Sequence, residues 1–291
     1  MVKGIFAGLT GLDITYYQNE FPNENLKSKT NNYQTFIGGP AANAAITYAI
    51  LAGSATLVTC LGNSSIAKAI KSELTQDYQI TVVDMAAEIE ILPSISSVLV
   101  NMDKATRTIW SGQQQFSILN KINYEAIISE AYFCFSDCNL SEVTVEFLKT
   151  SRKMKKKIVL DPGSWKPHFT VCLPLADEII ASVNCKPAEG DLVTFLKDTD
   201  VKNIAITDGE NATKWLEDSR EGTIPVPKVQ AIDTLAAGDV LHGAYCYYRY
   251  HEGLSFVHAL EKATVVASES VKYYGARKGV YQLVKKTKNN S

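Results

Sequence analysis

The stretch "DTLAAGDVLHGAYCYY", residues 233–248, decides how the rest of the chain reads. Asp233 and Asp239 stand on either side of five residues, three of them Ala or Gly, and a helix-like run follows at once. Val240, Leu241, Ala244, Tyr245 and Tyr248 recur at the spacing of one helix face, so a helix is expected to begin near Ala237. The first amides of such a helix have no partner within it. Small residues let an anion approach those amides, and the helix dipole favours negative charge there. Asp239, in the first turn, would stand beside that anion, where a carboxylate can take a proton from an attacking hydroxyl. Taken alone, Asp239 reads more simply as an acidic residue complementing the dipole. The rest of the chain has to decide.

With 291 residues, the chain is long for one domain but does not demand two. Hydrophobic residues make up 46%, enough for a large core, and 29 Lys and Arg against 31 Asp and Glu leave a net charge of −2. That balance suggests neither a nucleic-acid nor a membrane-surface partner. No stretch approaches the roughly 18–20 apolar residues of a membrane span. The short apolar run in "MVKGIFAGLTGLDITYY" is broken by glycines and is too brief for a secretory signal, so a soluble, cytoplasmic protein is expected. The six cysteines form no CxxC pair and read as buried, reduced thiols.

Working outward, short β-rich runs recur, among them "GIFAGL", "ATLVTCLG", "ITVVD", "AYFCFSD", "KKIVLDPG", "DEIIAS" and "KNIAITDG". Helix-compatible segments at 40–52, 64–75, 141–154 and 237–251 separate many of them. Alternation of this kind predicts an α/β fold with a mostly parallel sheet covered on both faces. Ligands then bind beyond the carboxyl ends of the strands, where Asp137, Asp161, Ser182 and Thr207–Gly209 fall. Two regions break the rhythm: residues 13–37, polar and β-leaning, and residues 95–111, a hairpin with "DKAT" at its turn. Together they would form a small separate sheet, a lid or a dimer contact, on a single domain spanning 1–291.

In this order, these segments resemble the PfkB/ribokinase family of sugar and nucleoside kinases. The resemblance runs from "FAGLTGLD" (6–13) through "GGPAANAAITYAILAG" (38–53), "ITDGENA" (206–212) and "DTLAAGDVLHGA" (233–244) to "ALEKATVVASESVKYYGARKG" (259–279). Within the family the likeness is to bacterial ketose kinases such as sulfofructose kinase, through "GLTGLDITYY", "GGPAANAA" and His242. It implies a ribokinase-like three-layer α/β/α fold with a small β-sheet lid, and transfer of the γ-phosphoryl of ATP, with Mg²⁺, to a primary hydroxyl of a small ketose or sugar acid. It further implies Asp239 as base and Ala236, Ala237 and Gly238 as the anion hole. Asp13, Gly38, Gly39, Asn43 and the lid arginine Arg107 would bind the sugar, and Ser182, Thr207 and Gly209 the nucleotide. A monovalent cation near Asp233 and a homodimer through the lid are further expectations.

Three departures from the family pattern matter. Alanine at 236 replaces the usual glycine, which is harmless if that residue has a negative φ and costs roughly 1–2 kcal/mol if it is left-handed. Ala212 replaces a glycine of the nucleotide turn. The glutamate of the family's N-x-x-E segment is missing from "ASVNCKPAEG": Cys185 or Pro187 takes its place, and Glu189 is out of register. Magnesium would then rely on phosphates, water and Asp161, consistent with the several waters it keeps. Two other readings stay open. One is a nucleoside acceptor, its base in an aromatic slot from Tyr16, Tyr17, Phe36 or Trp110. The other is a sugar- or nucleotide-binding protein with little catalysis. His242 reads as helix packing, and Trp110 and Trp165 as candidate contacts for an apolar ligand surface.

Overall fold

The run "GIFA" forms a strand whose alternation serves two faces: Phe6 joins one buried cluster, while Ile5 and Ala7 join another. The computed structural model describes residues 3–104, 106–112, 122–188 and 190–289. Its strands are β1 (Gly4–Ala7), β2 (Gly11–Gln18), β3 (Tyr33–Gly38), β4 (Ala55–Thr59), β5 (Ile80–Asp84), β6 (Ser94–Asn101), β7 (Thr106–Gly112), β8 (Phe133–Ser136), β9 (Lys157–Leu160), β10 (Glu178–Ser182), β11 (Asn203–Asp208), β12 (Asn211–Glu217) and β13 (Arg220–Ile224). Nine of them form one sheet in the order β13-β12-β11-β10-β9-β8-β1-β4-β5, parallel except for the β11–β12–β13 end. The strand order reverses beside β1, which makes the carboxyl ends of β1 and β8 the place for a ligand.

Helices α1 (Pro40–Ala52), α2 (Ser65–Gln76), α3 (Tyr124–Ile128), α4 (Ser141–Lys153), α5 (Phe169–Cys172), α6 (Leu192–Leu196), α7 (Ala237–Cys246), α8 (Phe256–Ser270) and α9 (Ala276–Asn289) cover the two faces. The Phe6 face packs on α1, α2, α7 and α8, and the Ile5 face on α4, α5 and α6. This is the three-layer arrangement expected. Glycines mark both ends of α1: Gly39 (φ 96°) precedes Pro40 at the first turn, and left-handed Gly53 donates to the Ala49 carbonyl. Among the described residues no helix is long and apolar enough to cross a membrane.

The segments that broke the rhythm make a second sheet, β3-β2-β6-β7. β6 and β7 pair antiparallel as the expected hairpin, though Ala105 of its turn lies outside the described residues. β2 follows β1 directly and β3 leads into α1, so this sheet hangs from the ligand end of the main one.

Helices α1 and α7 meet through small residues. Ala41, Ala42, Ala44, Ala45 and Ala49 of α1 are buried. A Cβ on Gly243 would fall 2.3 Å from the Ala44 carbonyl oxygen and 2.7 Å from Thr47 Cβ, so the approach depends on glycine. This contact brings the starts of two helices side by side.

Candidate active site

Helix α7 begins at Ala237, where the periodicity put it, and Asp239 stands in its first turn. Val240 is the first residue whose amide reaches a carbonyl four back, that of Ala236, at 2.9 Å. Among the described residues the Gly238 and Asp239 amides donate to nothing, and a Cβ on Gly238 would meet no atom within 4 Å. Open amides with open space before them are what an anion needs. Ala236, just before the helix, has φ 60° and ψ 14°. The harmless case, negative φ, is therefore not the one found: alanine sits in left-handed backbone space and carries its cost.

Across the α1–α7 contact, Asn43 Nδ2 donates to Asp239 Oδ2 at 2.8 Å. Burial lifts the Asp239 carboxyl to about 7; the charge of Asp161 adds to the rise, and the Asn43 hydrogen bond and the nearby His242 ring pull against it. His242 does more than pack. Its Nδ1 lies 2.7 Å from the Gly238 carbonyl and 3.4 Å from Asp161 Oδ2, and its Nε2 lies 2.9 Å from the Ile180 carbonyl. The ring thus ties the first turn of α7 to β10 and to the end of β9.

Asp137, at the end of β8, was notable in the sequence only for that position. Its Oδ2 accepts from the Leu9 and Ala41 amides at 2.9 and 3.0 Å, and its Oδ1 from the Asn139 amide at 2.9 Å. A Cβ on Gly8 would collide with this carboxylate at 2.0 Å. Burial raises it to about 6 against those hydrogen bonds. It fastens β1, β8 and the start of α1 together beneath Asn43.

A small cavity of about 20 Å³ opens beside Asn43, lined by Asp13, Phe36, Leu235, Ala236 and Arg277 among others. Burial raises the Asp13 carboxyl, while a Ser96 hydrogen bond and the Arg277 charge offset part of the rise. Gly38 leaves that carboxylate its room, since a Cβ there would lie 2.4 Å from it. Gly39, at the start of α1, passes close to the Leu9 carbonyl. The structure thus brings Asp13, Gly38, Gly39, Asn43 and Ala236–Asp239 to one place. Arg107, on β7, donates to Thr234 Oγ1 and so reaches the segment leading into α7. The residue that sequence reading missed is Arg277: it sits in the quoted "GARKG" run, but nothing local marks it as part of a site.

Ser182 and Thr207 lie opposite each other in the β10–β11 register, at the carboxyl ends. Gly209 follows with φ 57° in the turn to β12, facing open space. Asp161 accepts from the Gly163 amide at 3.1 Å through Oδ1, and its side chain is 13% exposed. Cys185 is buried where a carboxylate was missing, and Glu189 lies outside the described residues, as do 113–116 of the loop after β7. Asp233 is taken: Tyr17 Oη and the Gly275 amide donate to its Oδ2 at 3.0 and 3.2 Å, and the Leu235 amide to its Oδ1 at 2.9 Å.

Among the aromatic candidates, Tyr17 is buried on Asp233, Tyr16 packs near Tyr33, and Trp110 is 70% exposed on edge strand β7. Trp165, partly buried, packs edge-on against Phe169 and Phe195. Phe36 alone of the four proposed slot residues lines the cavity.

Residues 5–282 match the family described as pfkB family carbohydrate kinase. The chain is 25% identical over 284 residues to the ribokinase of Haemophilus influenzae, covering 89% of this chain and 88% of that protein. It is 24% identical over 295 residues to the deoxyribokinase of Salmonella typhi, covering 91% and 90%. Among solved structures, Arabidopsis thaliana ribokinase complexed with ribose and ATP has a TM-score of 0.77 at 21% identity, covering 98% of this chain and 99% of that one. A match over nearly the whole length, on a fold that sets an open helix end beside a carboxylate and a polar cavity, means that the chain belongs to the pfkB family of carbohydrate kinases.

Proposed function

We propose that the protein transfers the γ-phosphoryl group of ATP to a primary hydroxyl of a small sugar, a ketose or a sugar acid. The observation that carries this reading is the position of Asp239. It stands between the open amides at the start of α7 and, through Asn43, the cavity holding Asp13. An acceptor hydroxyl bound by Asp13 and Asn43 would point at Asp239, which takes its proton. A carboxylate suffices as base, because in a loose transition state the proton leaves late. The open amides of Gly238 and Asp239 stabilise the transferring group, the expected Ala237 amide being turned to the Thr234 carbonyl, and Ser182, Thr207 and Gly209 support the nucleotide along the β10–β11 end.

Asp161, with one oxygen only lightly engaged, fits a magnesium ion held mainly through water and nucleotide phosphates, and the ion would neutralise phosphate charge there. Asp233 already accepts from three donors, and no step is routed through a monovalent cation near it. A sugar is favoured over a nucleoside because the cavity carries Phe36 as its one aromatic of the proposed slot and is otherwise polar on the Asp13, Asn43 and Arg277 side. Pairing of two copies through the small sheet is supported by edge strand β7, exposed along its length, with Ile109 44% and Trp110 70% exposed.

The test is ADP release from Mg-ATP against a panel of ketoses, sugar acids, ribose, deoxyribose and nucleosides, with Asp239→Asn alongside. Turnover on a sugar that Asp239→Asn abolishes supports the reading, and preference for a nucleoside overturns the acceptor class. ATP-induced thermal stabilisation with no turnover on any acceptor would make the protein a binder. A monomeric sedimentation profile would remove the dimer.

A further inference from the structure

Arg277 enters the acceptor cavity from the start of α9, close to the far end of the chain. Its Nη2 donates to the Ile37 carbonyl at 2.6 Å and to Asn43 Oδ1 at 3.4 Å. The guanidinium lies over the rings of Phe36 and Tyr78, at 6.0 and 5.5 Å from their centroids. Among the described residues no carboxylate comes within 4.0 Å of it, and its Nε is buried with no hydrogen-bond partner. An arginine with no carboxylate in direct contact, near two rings and donating to an amide, is not an ordinary surface ion pair.

We propose that Arg277 is a positioning residue for phosphoryl transfer: it fixes the Asn43 amide so that Nδ2 holds the Asp239 carboxylate. The inference rests on the reading of Asp239 as the base. A primary amide has a donor end and an acceptor end that are nearly equal in shape. Which end faces which neighbour is set by those neighbours. Arginine can only donate, so the end of Asn43 beside it is the oxygen. An ionised carboxylate can only accept, so the end beside Asp239 is the NH₂ group. Remove Arg277 and Asp239 alone orients the amide, which then swings more freely and holds the carboxylate less firmly.

The fold holds Arg277 to this task from two sides. Gly275, with φ 70°, presses the turn before α9 against Phe36, where a Cβ would lie 2.5 Å from the ring. Its amide donates to Asp233 Oδ2, and Asp233 also caps Leu235 at the entry to the anion hole. The start of α9 is therefore fastened to the segment that ends in Asp239. A side chain 234 positions from Asn43 in sequence completes its orientation.

The test is a double-mutant cycle of Arg277→Met and Asn43→Ala, read as ADP release from Mg-ATP. The acceptor is the sugar that the wild type turns over fastest, or water if it takes none. Arg277→Met is expected to lower kcat about 10- to 100-fold with the KM for ATP changed by less than about twofold. In the Asn43→Ala background the same change should lower kcat less than about threefold, and Arg277→Lys should recover part of the loss. Equal losses in both backgrounds, or a loss confined to the acceptor KM, would overturn the proposal. Asp239→Asn runs beside the cycle: if it keeps turnover, the base reading fails, whereas additivity with an inactive Asp239→Asn sinks only the role of Arg277. Should Arg277→Met not fold, Arg277→Gln, which keeps part of the stem but loses the charge and fork, replaces it.

Discussion

Replacing Ala236 by glycine should stabilise this protein without harming turnover. Alanine at 236 sits at φ 60°, ψ 14°, in the left-handed region where Cβ crowds the following carbonyl, at about 1–2 kcal/mol. Glycine removes that crowding but gives the unfolded chain more freedom, which returns about 0.4–1 kcal/mol. The lost methyl group borders the cavity, so little apolar burial goes with it. The net gain is about 0.5–1 kcal/mol, or a rise of about 1–2 °C in Tm for a chain of this length. Urea unfolding at equilibrium is the assay, with the midpoint expected to rise at unchanged m. Carbohydrate kinase turnover is measured on the same samples and should hold or increase, since 236 lies beside the open amides. A midpoint that stays put or falls, at constant m, would refute the reasoning: residue 236 would then carry no left-handed strain.

Four further outcomes are expected. Because burial and Asp161 raise the Asp239 carboxyl to about 7, the base is ionised above that pH and protonated below it, so kcat/KM should fall as pH drops through about 7. Asp239→Asn should cost about 10²–10⁴-fold in kcat while ATP still raises the melting temperature. Glu178→Leu should destabilise by about 3–5 kcal/mol, because buried Glu178 accepts from Arg249 Nε, Tyr245 Oη and Tyr250 Oη, and its loss strands two buried hydroxyls and a partly buried guanidinium. It lies at the amino end of β10, away from Ser182, so the folded fraction should keep its kcat. Gly243→Ala should cost about 1–3 kcal/mol in urea unfolding and also lower kcat, since separating α1 from α7 separates Asn43 from Asp239.

Much of the fold was legible because its signals are local. The β-rich run "GIFAGL", the helix-compatible segment 40–52 and the apolar face beginning at Val240 each depend on a few neighbouring residues. They placed β1, α1 and α7 close to where they are found. The hairpin β12–β13 went unread: its strands are short and half-polar, with Thr213 buried among exposed neighbours, so neither period stands out. The candidate site divides in the same way. Asp239 beside small residues at a helix start can be read from one stretch, whereas Gly38, Gly39 and Asn43 enter only through the resemblance to the family. That His242 joins α7 to Ile180, that Tyr17 fills Asp233, and that Trp165 faces the core could not be read so, because each depends on which elements become neighbours.

By itself the sequence determined the α/β alternation, the helix that starts at Ala237 and the carboxylate in its first turn, since periodicity and end signals act within one element. Only the tertiary structure decided the sign of φ at Ala236, the meeting of Asn43 with Asp239, and the arrival of Arg277 at both. A backbone angle in a loop is set by where its two ends must go, and a side chain's partner by which helices pack together. Neither quantity exists until the sheet has brought α1, α7 and α9 into contact.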